Sequence, residues 1–81
     1  MAAVTVRAFG ALRDLVGAAT SAEAAHVAEL LDLLRAEHGD EFDRRLARST
    51  VAVDDEPVDH DDTTPLSDGA QVVLLPPFAG G

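Results

Sequence analysis

A nearly unbroken apolar run, residues 70–75, is the feature that most limits how these 81 residues can fold. Apolar runs of this length are typical of a central strand that is covered on at least one face. Pro76 and Pro77 follow at once, and they must end the strand because proline cannot continue a β-ladder. Such a strand needs neighbours from earlier in the chain.

Three earlier segments have strand patterns that supply those neighbours. Residues 4–9 alternate, with Val4, Val6 and Ala8 on one face, and Gly10 ends the segment. Three of residues 50–53 are β-branched, which predicts a strand, and residues 57–58 predict a short edge segment, where proline is tolerated. A strand at residues 21–25 is suggested by position only. We expect the first and last strands, the most apolar, to be neighbours at the centre of the sheet.

The strongest helical pattern spans residues 27–38. Its apolar stripe recurs at helical spacing, and Gly39 stands where a helix C-terminus favours glycine. His26 is placed to cap the start of this helix. A one-turn helix is predicted at residues 11–16, and Asp40 is predicted as the N-cap of a further short helix.

The order of these elements predicts an α+β fold, a mixed sheet with one main helix packed across one face. Strands occur at both ends of the chain and the main helix lies between them. We predict one folded domain at residues 1–75 and a flexible C-terminal tail at residues 76–81. The hydrophobic fraction of 47% agrees with a folded chain.

Composition excludes several classes of function. The net charge of -9 argues against nucleic acid and anionic membranes as partners. The chain has no cysteine, which removes disulfides, thiolate metal sites and thiol nucleophiles. The N-terminal residues lack a signal-peptide pattern, so a cytoplasmic protein is expected. A domain of this size also has little room for an internal active site.

Side-chain chemistry gives weak candidates. No serine has the context of a nucleophile, and the three histidines are scattered. The acidic stretch at residues 54–62 lacks the glycine of a calcium loop, and no phosphate-binding loop occurs. We therefore expect no metal and no cofactor bound by this chain.

The C-terminus is the remaining candidate. Six extended residues reach about 20 Å at most, and Gly80 and Gly81 lack a Cβ, so the end of the chain is slim. This shape suits a tail that threads into a narrow partner site, with the Gly81 carboxylate as the reactive group. The alternative is an ordinary frayed tail.

Three segments resemble one known family. Residues 72–81, with the ending Pro-Pro-x-x-Gly-Gly, resemble the C-terminus of the small subunit of molybdopterin synthase, a ubiquitin-like sulfur carrier. Residues 6–17 resemble that family's first strand and helix, and the turn at residues 66–69 also fits. The resemblance implies a ubiquitin-like β-grasp fold, which agrees with the element order.

The resemblance also implies a mechanism. A separate adenylyltransferase, similar to ubiquitin-activating enzymes, would use ATP to adenylate Gly81, and sulfur would then displace AMP to give a thiocarboxylate. The tail would insert into the large synthase subunit, in an expected heterotetramer, and donate sulfur to a cyclic pyranopterin precursor. This chain would be a sulfur-donating subunit without catalytic groups of its own. The threading residues would be Pro76, Pro77, Phe78, Ala79 and Gly80.

A partner interface is expected on the sheet face opposite the helix. If Val72 and Leu74 face the helix, then Phe9, Val73 and Leu75 face outward, with Phe78 beyond them. A contiguous exposed apolar patch usually marks an interface, so this patch would dock both partners. The alternative is that these side chains only shield the sheet. The acidic surface would favour basic grooves on the partners.

Other readings stay open at this point. The chain resembles, in fold and ending, sulfur carriers for thiamine, cysteine or another thio-metabolite. It also fits a ubiquitin-like protein modifier that forms isopeptide bonds, or an interaction module without catalytic function. All six basic residues are arginine. The missing lysine would protect the activated terminus from self-acylation, and coding bias explains it equally well.

Overall fold

The computed structural model describes residues 1–76 as five strands and three helices. The elements, in chain order, are β1 (Ala2–Ala8), α1 (Ala11–Val16), β2 (Ala19–Ala24), α2 (Val27–His38), α3 (Asp40–Leu46), β3 (Thr50–Val53), β4 (Glu56–Val58) and β5 (Gln71–Leu75).

The strands form one mixed sheet with the order β2-β1-β5-β3-β4. The last strand lies at its centre and pairs in parallel with β1, with Val6 opposite Val72. The other pairs, β1 with β2, β3 with β5 and β3 with β4, are antiparallel. The expected pairing of the first and last strands is therefore confirmed, as is the mixed α+β sheet.

A single core cluster joins the inward face of the sheet to the helices. Strand residues alternate in burial, so that Val4, Val6, Val72 and Leu74 are buried. Each helix covers them with large apolar side chains, and this set is Leu12, Val27, Leu30, Leu31, Leu34, Phe42 and Leu46. Burial of such side chains stabilises the fold by roughly 1.5–3 kcal/mol each. The apolar stripe of α2 is thus the main cover of the sheet.

The junction of α2 and α3 differs from the prediction. Gly39, at φ +85°, both ends α2 and precedes α3, and its N–H donates to the Arg35 carbonyl. Asp40 is therefore the first helical residue and makes no side-chain cap, because glycine reverses the chain one residue earlier. The predicted N-cap at Asp40 was wrong.

The N-terminus of α2 is capped by an imidazole. His26 has extended backbone angles, and its Nδ1 accepts a hydrogen bond from the Glu29 N–H at 3.2 Å. In return, Glu29 Oε1 accepts from the Ala25 N–H at 2.8 Å. The two hydrogen bonds satisfy backbone donors at the helix start, as in a capping box, except that Glu29 accepts from the residue before the N-cap. The predicted capping role of His26 is confirmed.

Part of the acidic stretch is a tight hairpin turn. Asp54 and Asp55 have φ of 48° and 74° and connect β3 to β4, with Val53 opposite Glu56. Positive φ at both central residues is the pattern of a two-residue turn that matches strand twist, and aspartate tolerates it. Asp54 Oδ1 also accepts from the Gln71 N–H at 3.0 Å, which ties the turn to β5.

Candidate functional site: the base of the tail and its surroundings

The residue that follows the last strand, Pro76, lies against a glycine, Gly10. Gly10 follows β1 at φ +62°, and a Cβ built there would lie 3.0 Å from Pro76 Cγ. A Cβ this close is tighter than most real Cβ contacts, so a side chain at this position would require the proline to move by a few tenths of an ångström. The Phe9 N–H donates to the Leu74 carbonyl at 3.2 Å, which continues the β1–β5 pairing up to the exit. Gly10 and Pro76 are therefore in close contact at the end of the described chain.

An apolar surface lies beside this exit, on the face opposite the helices. Phe9 is 45% exposed, while Val73 and Leu75 are half-buried between their neighbours on the sheet. Opposed residues of a sheet share a face, and Val73 lies opposite both Arg7 and Ala52. The structure thus brings the three expected interface residues of the described chain together. We call Phe9, Val73 and Leu75 the outer patch.

The other residues predicted for the site lie outside the described residues. These are Pro77, Phe78, Ala79, Gly80 and Gly81. Of the six predicted tail residues, Pro76 alone is described, and it lies at the end of β5 where the prediction placed it.

A groove on the other side of Pro76 was missed by the sequence prediction. It has a volume of about 650 Å³. Its lining consists of Ala11, Leu12, Arg44, Arg45, Ala47, Arg48, Ser49 and Pro76. We call it the arginine groove. The available signal was the clustering of half of the chain's six basic residues within residues 44–48.

One carboxylate shares two of these arginines. Glu41 accepts hydrogen bonds from Arg45 Nη2 at 2.7 Å and from the Arg44 guanidinium. The hydrogen bond from Arg44 is the main cause that holds the pKa of Glu41 below its ordinary value, followed by that from Arg45. The same contact raises the pKa of Arg44. Arg48 makes no ion pair within residues 1–76.

The scattered histidines have structural partners. His38 packs on Phe42 with 5.7 Å between ring centroids, and His60 Nε2 lies 2.8 Å from the Ser49 carbonyl. Within residues 1–76, no three His, Asp or Glu side chains are grouped to hold a metal ion. In that same part of the chain, no helix has the length and apolar character needed to cross a bilayer.

Asp62 is held by the loop itself. Its Oδ1 accepts from the Thr64 N–H at 2.9 Å, and this backbone hydrogen bond is the largest cause that lowers the pKa of Asp62. The carboxylate therefore orders the loop before β5, which is a structural role.

A comparison with family models identifies the family of this chain. The ThiS family model matches residues 6–81, which is nearly the whole chain. This chain belongs to the ThiS family. No curated protein matches it by sequence.

Solved structures agree with this family assignment. A chain from the complex of subunits 1 and 2 of the molybdopterin-converting factor of Helicobacter pylori is 30% identical, with a TM-score of 0.72. The match covers 98% of this ThiS-family chain and 99% of that chain.

Two further structures show the fold alone, since their identity is low. The small archaeal modifier protein 1 of Methanosarcina acetivorans is 20% identical, with a TM-score of 0.82, and the match covers 100% of this chain and 98% of that chain. Urm1 of Trypanosoma brucei is 18% identical, with a TM-score of 0.71, and the match covers 98% of this chain and 95% of that chain. The ubiquitin-like β-grasp fold expected from the sequence is confirmed.

Proposed function

We propose that this ThiS-family chain is the sulfur-carrying small subunit of molybdopterin synthase. The observation that carries the proposal is the family match through residue 81 together with the exit geometry. Pro76 is packed on Gly10 at the rim of the sheet, so the segment that follows starts at a fixed place beside the outer patch.

The reactive group in this proposal is the carboxylate of Gly81. A carboxylate is a poor electrophile, so the activating adenylyltransferase joins it to the AMP part of ATP, and pyrophosphate leaves. Hydrosulfide attacks the acyl carbon, AMP leaves, and a thiocarboxylate results. Where a persulfide is the nucleophile, the product is an acyl disulfide, and a thiol must reduce it to the thiocarboxylate. Because the chain has no cysteine, any such persulfide or protein thiol must belong to another protein. ATP belongs to the activating enzyme, and this chain supplies only the acyl group.

The large synthase subunit would take up the tail from Pro76 to Gly81 and would hold the pyranopterin precursor. Support comes from the complex of subunits 1 and 2 in the Helicobacter pylori relative, which is 30% identical. The outer patch would dock both this subunit and the activating enzyme, since exposed apolar patches usually mark interfaces. Any general acid or base would belong to the partner. The cytoplasm, where such biosynthesis occurs, is the proposed location.

Mass spectrometry tests the proposal directly. The chain is incubated with its activating enzyme, ATP and a sulfur donor, and the intact mass is recorded. We expect the mass change of one oxygen replaced by sulfur at Gly81, followed by loss of that sulfur when the large subunit and precursor are added. A chain that is never thiocarboxylated would refute the carrier role.

Two outcomes would assign the chain to another branch. Stable conjugates of Gly81 with lysines of other proteins would identify a protein modifier, the class to which the Methanosarcina acetivorans protein of similar fold belongs by name. Thiocarboxylate that transfers sulfur to a thiamine or cysteine precursor, and not to the pyranopterin, would identify a carrier for that product. A variant without Gly81 serves as the control, since it should fold normally and acquire no sulfur.

A further inference from the structure

The arginine groove is positively charged on a strongly acidic molecule. Three of its lining residues are arginines and none is Asp or Glu, although Glu41 pairs with two of these arginines from outside the lining. The chain as a whole carries 15 acidic residues against six basic ones. A local reversal of sign of this kind is a recognised basis for complementary contact with a partner.

Internal contacts account for only part of this charge. Arg44 and Arg45 share the single carboxylate of Glu41, and such exposed pairs hold their partners weakly. Arg48 lies beyond the end of α3, is exposed, and forms no ion pair with any of residues 1–76. The groove therefore retains guanidinium donors for an external acceptor.

Apolar residues also line the groove. Ala11, Leu12, Ala47 and Pro76 belong to its lining, and Pro76 follows β5 directly. The Ser49 hydroxyl is already used, because it donates to the Arg45 carbonyl at 2.8 Å. A fitting ligand thus combines carboxylates, which pair with the arginines, with a small apolar side chain, which contacts the apolar lining residues. Free inorganic anions lack the apolar part, whereas an acidic protein segment has both.

We propose that the arginine groove binds an acidic segment of the large synthase subunit, and that this contact fixes the tail as it enters the partner. The inference rests on the proposed function, because it deepens the same partnership. Pro76 belongs to both features, since it packs on Gly10 and lines the groove. A partner segment seated there would contact the base of the tail directly. The large subunit would then contact two surfaces near Pro76, the apolar outer patch and the arginine groove.

The first test measures the dissociation constant for the large subunit as a function of salt. Arg48→Gln should weaken binding about twofold to fivefold, and adding Arg44→Gln should bring the loss to about tenfold. Both changes should flatten the salt dependence, because the lost contacts are the screened ones. Arg35→Gln is the matched control. It removes the same charge, yet Arg35 pairs with Asp32 and Asp43 and does not line the groove.

The second test identifies the occupant. The chain has no cysteine, so Ala47→Cys gives one thiol in the groove lining for a photoactivatable cross-linker. We expect cross-linked peptides from the large subunit that are rich in Asp and Glu. Ala36→Cys on the exposed side of α2 is the control and should give no such peptide.

The outcomes separate the two proposals. If the unmodified chain binds the large subunit and accepts sulfur, but the Arg48 and Arg44 variants bind equally well and the cross-links reach no acidic segment, the groove proposal is overturned and the carrier role stands. If the chain neither binds nor accepts sulfur, the proposed function fails, and the groove proposal fails with it.

Discussion

Gly10 does two things that no other residue type can do at its position. Its φ of +62° with ψ of -139° lies in a region that is essentially restricted to glycine. Its missing Cβ also leaves the space that Pro76 occupies, since a Cβ would approach the proline to 3.0 Å. Backbone strain and close packing are therefore combined at the point where the tail begins.

Gly10→Ala should lower the free energy of unfolding by about 1–3 kcal/mol and should also slow sulfur transfer, because Pro76 must move. Gly17→Ala is a matched control. Gly17 also has positive φ, at 99°, but nothing lies within 4 Å of its virtual Cβ. Urea denaturation and transfer kinetics on both variants check this. Equal loss of transfer activity in the two variants would contradict a specific role for the Gly10–Pro76 contact.

At the scale of elements, the start of α2 depends on the hydrogen bonds that the His26 and Glu29 side chains accept. This helix supplies four buried residues to the core, so fraying at its first turn exposes Val27 and weakens the cover of the sheet. Imidazole is an unusual cap, and its hydrogen bond satisfies one of the orphan N–H groups at the helix start.

His26→Ala should reduce the free energy of unfolding by about 1 kcal/mol, the typical value of an N-cap. His26→Asn should retain most of the stability, because its side-chain oxygen accepts the same hydrogen bond. Thermal unfolding of both variants measures the difference. If His26→Asn loses as much unfolding free energy as His26→Ala, then His26 contributes through packing of its ring and not through capping.

Helix α3 should carry a pH-dependent part of the stability. Hydrogen bonds from Arg44 and then Arg45 lower the pKa of Glu41 in the folded state. This contribution is fully present above the ordinary pKa of 4.5 and is lost as the pH falls through the lower, folded-state value. The free energy of unfolding, measured between neutral and acidic pH, should decrease as this contribution is lost. Glu41→Gln should remove this part of the pH dependence. An unchanged pH profile in the variant would show that the ion pairs contribute no stability.

At the scale of the whole molecule, apolar exposure is divided between the two faces. Phe9 on the outer patch is 45% exposed, and Leu33 on α2 is 46% exposed. Phe9 and Leu33 are almost equally exposed but lie in different places. Leu33 is therefore a suitable control for a substitution of Phe9 in the proposed docking surface.

Phe9→Ser should weaken binding to the activating enzyme and the large subunit by about tenfold, since truncating a buried aromatic at an interface commonly costs more than 1 kcal/mol. Leu33→Ser should leave both affinities unchanged. Isothermal titration with each partner provides the measurement. Comparable effects of the two substitutions would show that the outer patch is not the docking surface.

Local periodicity was sufficient to predict most of the fold. The stripe of α2 and the helix at residues 11–16 were found with the bounds that the structure has, and the central pairing of β1 with β5 followed from their apolar character. The short strand β2 was hardly visible, because Ala, Thr, Ser and Glu have no strong strand pattern. It exists through its pairing with β1, which is a tertiary effect.

The site was predicted less completely for a physical reason. Alternation along β1 and β5 places Phe9, Val73 and Leu75 on the outer face, and this could be inferred from sequence. The arginine groove depends on how α3 lies against α1 and on where Pro76 packs, and neither is encoded locally. Likewise, the strand pattern marks Gly10 only as an end, whereas its contact with Pro76 joins positions 66 residues apart.

The position of β5 has a consequence for how the protein is made. The strand that fills the centre of the sheet is the last element to be synthesised among those described, after β1–β2 and β3–β4. Until it emerges from the ribosome, the two antiparallel strand pairs, β1–β2 and β3–β4, each lack a neighbouring strand, and an isolated two-stranded pair is at best marginally stable. The sheet therefore closes only when the segment next to the tail is complete. A nascent chain interrupted before residue 71 would lose its fold and its proposed sulfur-carrying end at the same time.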